Sequence, residues 1–283
     1  MIPEKVYRYE DWDVENKGIQ ILTKKWIHLK APSDFNADYL ECRLPRNFDN
    51  FDKDSYEVFT REQVIADNPN SPVEQIEDYL KQYLSVNPFE SLPFHDKSHR
   101  ATVLDIDRKK LDKFLGIFCF SKSMDKIEMW EKGSNLGTGF CIGLHTELLF
   151  QKTRLSEGEA DHVIYYKNLP LVDAISKNEE ERISNASLAR FTVPDRYNYE
   201  DEFRFIRTNY SPFLTPLEYA PYERIVPLPD EVFSEIILGP NISKHDKAKI
   251  IETRNVNLKN IPIWVLDKDQ YEHNSAIEIG EII

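Results

Sequence analysis

Residues 197–207 read YNYEDEFRFIR, and the second half of this stretch alternates aromatic with charged side chains. Because side chains alternate along a β-strand, Phe203 and Phe205 would face one side of a strand, and Glu202 and Arg204 the other. In a strand Glu200 also shares the face of Glu202 and Arg204. This Glu-x-Glu-x-Arg ladder is either a solvated strand face or a pair of carboxylates placed for chemistry.

Short runs rich in aromatic and β-branched residues recur through the chain and predict further strands. Each run has about the length of a strand and is bounded by turn residues, so the sequence predicts a β-rich core. The runs are KVYRY (5–9), KWIHL (25–29), GIFCFS (116–121), GFCIGL (139–144), HVIYY (162–166), EFRFIR (202–207), SEIILG (234–239) and IPIWVL (261–266).

The segment between the second and third of these runs is acidic and favours helix. In SPVEQIEDYLKQYL (71–84) apolar residues recur at helical spacing behind Pro72 and a Ser71 cap, and DIDRKKLDKFLG (105–116) predicts a helix closed by Gly116. We therefore expect one α+β domain over 1–283 with a mainly helical insert over 46–115. Later, 178–191 is either helix or mobile loop, and 243–255 predicts a helix capped by Ser243.

Composition narrows the classes of partner. The 49 acidic and 36 basic residues give a net charge of −13, which disfavours a nucleic-acid backbone as the default partner. Three cysteines without metal-ligand spacing predict reduced, largely buried thiols. The first residues do not resemble a signal peptide, and no run reaches the ~18 to 20 apolar residues that span a bilayer. A cytoplasmic protein without a membrane partner is expected.

Several polar residues at strand ends are candidates for chemistry, and each has a structural alternative. Arg8 is placed to clamp a phosphate or to pair with Glu4 or Glu10. Ser121 and Ser123 end a strand, where they orient a ligand or form a turn, with Ser123 or Asp125 capping the next helix.

Two further features follow the Ser-x-Ser. Met129 and Trp130 either pack on the sheet or form a ring wall for a ligand. The glycines in EKGSNLGTGFCIGL (131–144) lack the GK[ST] of a P-loop and precede a strand rather than a helix. They predict a tight turn or a close approach of two backbones.

The motifs in this order resemble a bacterial family, domain of unknown function 2971. The stretches that carry the resemblance are VYRY, the segment 21–43, FCFSKSMDKIEMW running into GTGFCIGL, YNYEDEFRF and VFSEIILGPNIS. The chain departs from the family at 36–39, where Asn-Ala-Asp-Tyr replaces Asn-Asp-Pro-Phe. It departs again at EKGSN (131–135), where the family has a His-Tyr-Ala-like stretch.

The order of Arg8, the Ser-x-Ser at 121–123 and the Glu-x-Glu at 200–202 is also similar to the Arg-Ser-Glu arrangement of ADP-ribosyltransferases. This similarity implies a mixed, mostly antiparallel split sheet and NAD as the substrate, with no metal. By analogy Glu202 stabilises the ribose cation, Ser121 orients Glu202 or the ribose, and Glu200 addresses the acceptor. The residues assigned to the dinucleotide are Arg8, Tyr7, Ser123, Trp130 and Arg204.

The similarity implies an enzyme that transfers ADP-ribose to a protein or nucleic-acid acceptor or hydrolyses NAD, as an effector in bacterial defence or toxin systems. The first alternative is a non-catalytic interaction or nucleotide-sensing module, in which the same residues are structural. The second is a metal-dependent nuclease that uses the carboxylates. The sequence leaves the acceptor and the oligomeric state open.

Overall fold

The structure of the protein is a computed structural model that describes residues 2–12, 19–35, 42–50, 52–92, 97–174, 176, 178–209, 217–267 and 279–282. The chain divides into two compact units. The sheet unit comprises Met1–Phe35, Asp112–Tyr165 and Asp195–Ile283, and the helical unit comprises Asn36–Leu111 and Tyr166–Pro194. The helical unit thus joins much of the predicted insert to a second, later segment of the chain.

The sheet unit is built on an eight-stranded sheet with the order β14-β13-β12-β5-β1-β4-β10-β6. Every neighbouring pair in it is antiparallel except β12 and β13, which are parallel. The predicted α+β class with a mixed, mostly antiparallel core is confirmed. The strands are β1 (Lys5–Glu10), β2 (Trp26–His28), β3 (Arg46–Asn47), β4 (Leu115–Ser121), β5 (Phe140–His145), β6 (Glu159–His162), β7 (Ile164–Tyr166), β8 (Val172–Asp173), β9 (Thr192–Pro194), β10 (Glu202–Thr208), β11 (Ile225–Pro227), β12 (Phe233–Leu238), β13 (Ile263–Leu266) and β14 (Ile279–Ile282).

The two faces of the sheet differ in character because side chains alternate along each strand. On what we call the core face, Phe203 lies opposite Phe120 and Phe205 opposite Phe118, within a large cluster of buried apolar residues. On the other face, here called the site face, Tyr9 and Trp130 form a smaller cluster with Cys141, Ile237 and Leu266. The strand alternation predicted from EFRFIR is therefore present.

The helices lie where the sequence pattern predicts them, but not every predicted N-cap is present. Residues 178–191, open between helix and loop, form a helix with Asn178 as its cap, and Ser243 accepts a hydrogen bond from the N–H of Asp246 as predicted. The Ser71 cap is wrong, because Pro72 occupies the N-cap position and no side chain caps that helix. The helices are α1 (Gln20–Thr23), α2 (Lys53–Asp67), α3 (Val73–Val86), α4 (Lys97–Phe114), α5 (Ile127–Gly133), α6 (Thr146–Lys152), α7 (Glu179–Arg190) and α8 (Lys244–Asn257).

The helix before β4 ends without the predicted glycine. Helix α4 ends at Phe114, and Gly116 lies inside β4. A Cβ at Gly116 would lie 2.9 Å from the Cβ of Leu29, so this glycine provides room for the neighbouring segment.

The helical unit has a small core of its own. Helices α2 and α3 each bury one apolar stripe, which includes Tyr56 and Val64 on α2 and Ile76 and Leu80 on α3. The Tyr56 hydroxyl donates to the Asn87 carbonyl at 2.9 Å, so the buried phenol is satisfied.

None of the three cysteines, all of them described, is in a disulfide; Cys42 and Cys141 are buried and Cys119 is partly exposed, which agrees with the prediction of largely buried thiols. Among the helices that the structure describes, none is both long and apolar enough to cross a bilayer.

Candidate functional site

Three predicted site residues lie side by side on neighbouring strands. Ser121 on β4 lies directly opposite Glu202 on β10 and opposite Tyr7 on β1. Opposed residues in a sheet present their side chains to the same face, so all three belong to the site face. We call this set the Tyr7-Ser121-Glu202 row.

Strands β1 and β4 separate immediately beside this row. Their one registered pair is Tyr7 with Ser121, and at Ile117 the edge of β4 is bonded instead to Lys30 through two backbone hydrogen bonds of 2.8 Å. Between these points the Cys119 carbonyl accepts a hydrogen bond of 3.2 Å from Nη1 of Arg8. We call the gap between β1 and β4 that Arg8 spans the split.

Arg8 is held in the split by several contacts. Its Nε donates to Glu10 at 2.6 Å, and its guanidinium lies 5.0 Å from the centre of the Phe118 ring. The Arg8 side chain is 22% exposed, and within the described residues its Nη2 has no hydrogen-bond partner. Burial lowers the pKa of Arg8, but the carboxylates of Glu10 and, more weakly, Glu200 raise it above its usual value.

The prediction that Arg8 lines one cleft with Ser121 and Glu202 needs correction. Arg8 follows Tyr7 on the strand, so its side chain leaves β1 toward the core face, where it contacts Phe118. It reaches the neighbourhood of the row only by extending through the split to Cys119. The alternative pairing with Glu10 is present, although the pair is partly buried rather than on the surface.

Glu202 and Arg204 form a buried ion pair. Nε of Arg204 donates to one carboxylate oxygen of Glu202 at 2.6 Å, and Nη2 donates to the other at 3.0 Å. Their side chains are 3% and 1% exposed, so the alternative of a solvated strand face is wrong for these two residues. Arg204 bonds to Glu202 in this structure, and its contact with the dinucleotide stays a prediction.

Glu200 does not lie on the strand. It ends a 3₁₀ helix, Asp195–Glu200, and the chain then turns through Asp201, whose φ of 44° is in the left-handed region. The expectation that Glu200 shares a strand face with Glu202 is therefore wrong. Lys122 holds this turn: its N–H donates to the Asp201 carbonyl, and its Nζ lies 2.7 Å from the Asp201 carboxylate.

Glu200 is half-buried beside Tyr199. Burial raises the pKa of Tyr199 to about 12, and the charge of Glu200 contributes to the shift. The ammonium of Lys132 lies 3.8 Å from the centre of the Tyr199 ring.

The two serines have different roles. Ser121 is 3% exposed, and its Oγ accepts a hydrogen bond from the Ser123 N–H at 3.3 Å. Ser123 bonds to Asp125 within the turn, and its carbonyl accepts from the Tyr9 hydroxyl at 3.0 Å. Helix α5 begins at Ile127 with Lys126 at its N-cap position and no side-chain cap, so the predicted caps at Ser123 and Asp125 are wrong. Ser123 shapes the turn.

Trp130 is a packing residue in this structure. It is fully buried, its Nε1 donates to the Met124 carbonyl at 2.9 Å, and its ring meets Tyr9 edge-on at 5.0 Å. Because the Trp130 side chain has no exposed surface, it does not form a ring wall in this structure. The alternative that Trp130 packs on the sheet is correct.

The glycines before β5 bring two backbones together as predicted. Gly137 has a φ of +75°, and a Cβ at Gly139 would lie 2.2 Å from the Glu10 carbonyl oxygen. This contact fixes the end of β1 against the start of β5. The family departure at 36–39 lies outside the described residues, and so no structure is assigned to it.

Glu235, which sequence analysis missed, extends the row. Glu235 on β12 and Tyr7 both pair with Gly143, on either side of it. The Glu235 carboxylate lies 2.9 Å from Nζ of Lys5 and accepts a 3.4 Å hydrogen bond from the Tyr7 hydroxyl. Burial raises the pKa of Tyr7, and Glu235 raises it further. The signal was a lone charged residue inside the apolar run SEIILG.

Other features lie apart from these residues. An open cleft of 570 Å³ is lined by Lys25, Asp230, Glu231, Phe233 and residues 256–261, none of which is a predicted site residue.

Over the part of the chain that the structure describes, no three His, Cys, Asp or Glu side chains are grouped to hold a metal ion.

Comparison of the chain with protein-family models, with curated proteins and with solved structures finds no match to any of them.

Proposed function

We propose that the chain is an ADP-ribosyltransferase-like enzyme that binds NAD at the split and transfers ADP-ribose or hydrolyses NAD. The observation that carries the proposal is that Ser121 has Glu202 and Tyr7 as its two strand partners, with Arg8 in the adjoining split. Arg8, Ser121 and Glu202 come from distant parts of the chain but lie on three neighbouring strands, β1, β4 and β10. The single pairing between β1 and β4 also supports a split sheet of the kind that the resemblance implies.

The proposed chemistry requires a fixed negative charge beside the ribose. When the bond from the ribose C1′ to the nicotinamide nitrogen breaks, its electron pair leaves with nicotinamide, and positive charge develops on the ribose. The Glu202 carboxylate stabilises that charge, and water or an acceptor then bonds to C1′ and loses a proton. Because Glu202 is held by Arg204, it is preorganised and needs no reorientation in the transition state.

The other residues bind and orient. Arg8 donates to the pyrophosphate through Nη2, and Ser121 orients Glu202 or the ribose from the strand position opposite it. Glu200 lies outside the strand, at the end of the 3₁₀ helix before it, and we assign it to the incoming acceptor rather than to the ribose.

A nucleotide-sensing module without catalysis is the second candidate, and one observation favours it. Both carboxylate oxygens of Glu202 accept hydrogen bonds from Arg204, and the Glu202 side chain is 3% exposed. A substrate must displace part of this arrangement to meet the carboxylate. If it does not, the split binds the nucleotide and leaves its glycosidic bond intact.

The resemblance to the domain of unknown function 2971 family stays a prediction. The same holds for a bacterial defence or toxin role, a protein or nucleic-acid acceptor and a cytoplasmic location.

The test is to incubate the protein with NAD and measure free nicotinamide by chromatography, with NAD affinity measured separately by titration calorimetry. We expect slow release in the wild type and none in Glu202→Gln. The matched control is Glu157→Gln, which also removes a carboxylate from an arginine pair, here 2.6 Å from Arg207. Binding of NAD without any nicotinamide release in the wild type would replace the enzyme with the sensing module.

A further inference from the structure

A second cation lies beside the split. Lys30 continues the edge of β4 through its backbone bonds to Ile117, and its Nζ lies 5.3 Å from the centre of the Phe35 ring. Its side chain is partly buried. Among the residues that the structure describes, no carboxylate lies within ion-pair distance of the Lys30 ammonium.

The Lys30 backbone and the Arg8 side chain bond to nearby residues of β4. Lys30 bonds to Ile117, and Arg8 bonds to the carbonyl of Cys119, two residues further along the same strand. Burial lowers the pKa of Lys30, and the charge of Arg8 lowers it further, so the two cations act on each other.

Lys30 is the less compensated of the two cations, because Glu10 and Glu200 raise the pKa of Arg8 above its usual value whereas the pKa of Lys30 is lowered. Glu10 is engaged by Nε of Arg8, and Asp34 accepts from the backbone N–H of Ala31 at 2.9 Å. Both carboxylates raise the pKa of Lys30, but burial and the charge of Arg8 lower it by more, so the net shift is downward. Two like charges held together in a partly buried place favour an anion between them.

We infer that Arg8 and Lys30 together bind a phosphate group at the split, which in the proposed function is part of the pyrophosphate of NAD. The guanidinium contributes the donors of Nη2, which lack partners among the described residues, and the ammonium of Lys30 contributes a point charge. This inference rests on the proposed function for the identity of the ligand. The binding of a phosphate at these two residues does not depend on catalysis.

The experiment is titration calorimetry with inorganic pyrophosphate and with ADP-ribose, on the wild type, Lys30→Gln and Lys24→Gln. Lys24 is a matched control because it is a lysine of the same segment that also lies over an aromatic ring, 5.7 Å from the centre of Trp26, and is exposed. Loss of one charge-assisted hydrogen bond predicts about a 10- to 100-fold weaker affinity in Lys30→Gln and an unchanged affinity in Lys24→Gln. Circular dichroism checks that both variants are folded.

Weaker binding of both ligands in Lys30→Gln alone supports the inference. Equal affinity in the wild type and Lys30→Gln overturns it, as does the absence of binding in the wild type. The proposed function is judged separately by nicotinamide release. A wild type that binds pyrophosphate through Lys30 but does not cleave NAD retains the phosphate site and loses the enzyme. Cleavage of NAD together with equal pyrophosphate affinity in the wild type and Lys30→Gln retains the enzyme and loses the phosphate site.

Discussion

Glu202 and Arg204 face each other two residues apart on one strand, and the guanidinium donates to both oxygens of the carboxylate at 2.6 and 3.0 Å. Their side chains are almost without exposed surface. This ion pair lies next to Ser121, at the end of the row where the catalytic carboxylate is proposed. Stability and proposed function therefore depend on the same two residues.

Replacing one partner of this pair should destabilise the protein strongly. We expect Glu202→Leu to lower the free energy of unfolding by about 3 to 5 kcal/mol, because it leaves the Arg204 charge buried without its carboxylate. Adding Arg204→Met should recover much of that loss, since an apolar pair of similar volume needs no compensation. Urea denaturation measures all three proteins. A double variant less stable than Glu202→Leu would contradict this account.

The two glutamates of the opening stretch should separate in activity. Glu202→Gln is expected to abolish nicotinamide release, by at least about 100-fold, while NAD affinity changes little, because the lost interaction belongs to the transition state. Glu200→Gln should reduce transfer to an acceptor and spare slow hydrolysis by water. Assays of both reactions in both variants give the answer, and equal effects of the two substitutions on both reactions would contradict distinct roles.

Gly143 should be sensitive to the smallest side chain. A Cβ there would lie 2.6 Å from Oγ of Ser234 and 2.8 Å from Cγ of Glu235, so Gly143→Ala displaces Glu235 from Lys5 and Tyr7. Crowding of this kind costs about 1 to 3 kcal/mol in the free energy of unfolding. Gly133→Ala is the control, because its Cβ would meet nothing closer than 3.2 Å. Similar urea midpoints for the two variants would contradict a packed Glu235.

Tyr219 should make stability depend on alkaline pH. It is buried, and burial raises its pKa to about 12 although the cations of Arg207 and Arg224 lower it. An unfolded tyrosine ionises near pH ~10, so the folded state holds the proton more tightly. This contribution to stability is complete below pH ~10 and is lost as the pH rises through about 12.

The corresponding measurement is the urea midpoint at about pH 8 and about pH 11. Tyr219→Phe removes the titrating group and should lose less stability between the two pH values than the wild type. The substitution also removes the 3.2 Å hydrogen bond to the Arg207 carbonyl, so its stability at the lower pH should be reduced. An identical alkaline loss in both proteins would show that Tyr219 does not contribute.

The strands could be predicted from the sequence because their signal is local. The alternation in EFRFIR predicts which side chains of β10 share a face, and Phe203 and Phe205 indeed lie in the core cluster. Turn chemistry was local as well, as the positive φ of Gly137 illustrates. The same alternation gave a wrong prediction for Glu200. The pattern of YEDEF contains no sign that the chain turns at Asp201, before the strand begins.

The pairing of strands was decided by the tertiary structure. The sequence contains Tyr7, Ser121 and Glu202 at wide separations, and only the strand order brings them into one row. Burial likewise depends on what packs over a face: alternation placed Glu202 and Arg204 together, but not at 3% and 1% exposure. Lys30 carries no local signal, because its place beside Arg8 arises from the separation of β1 and β4. Local periodicity thus determined the elements and their faces, while long-range pairing determined which charges meet, since contacts between distant residues leave no periodic trace in the chain.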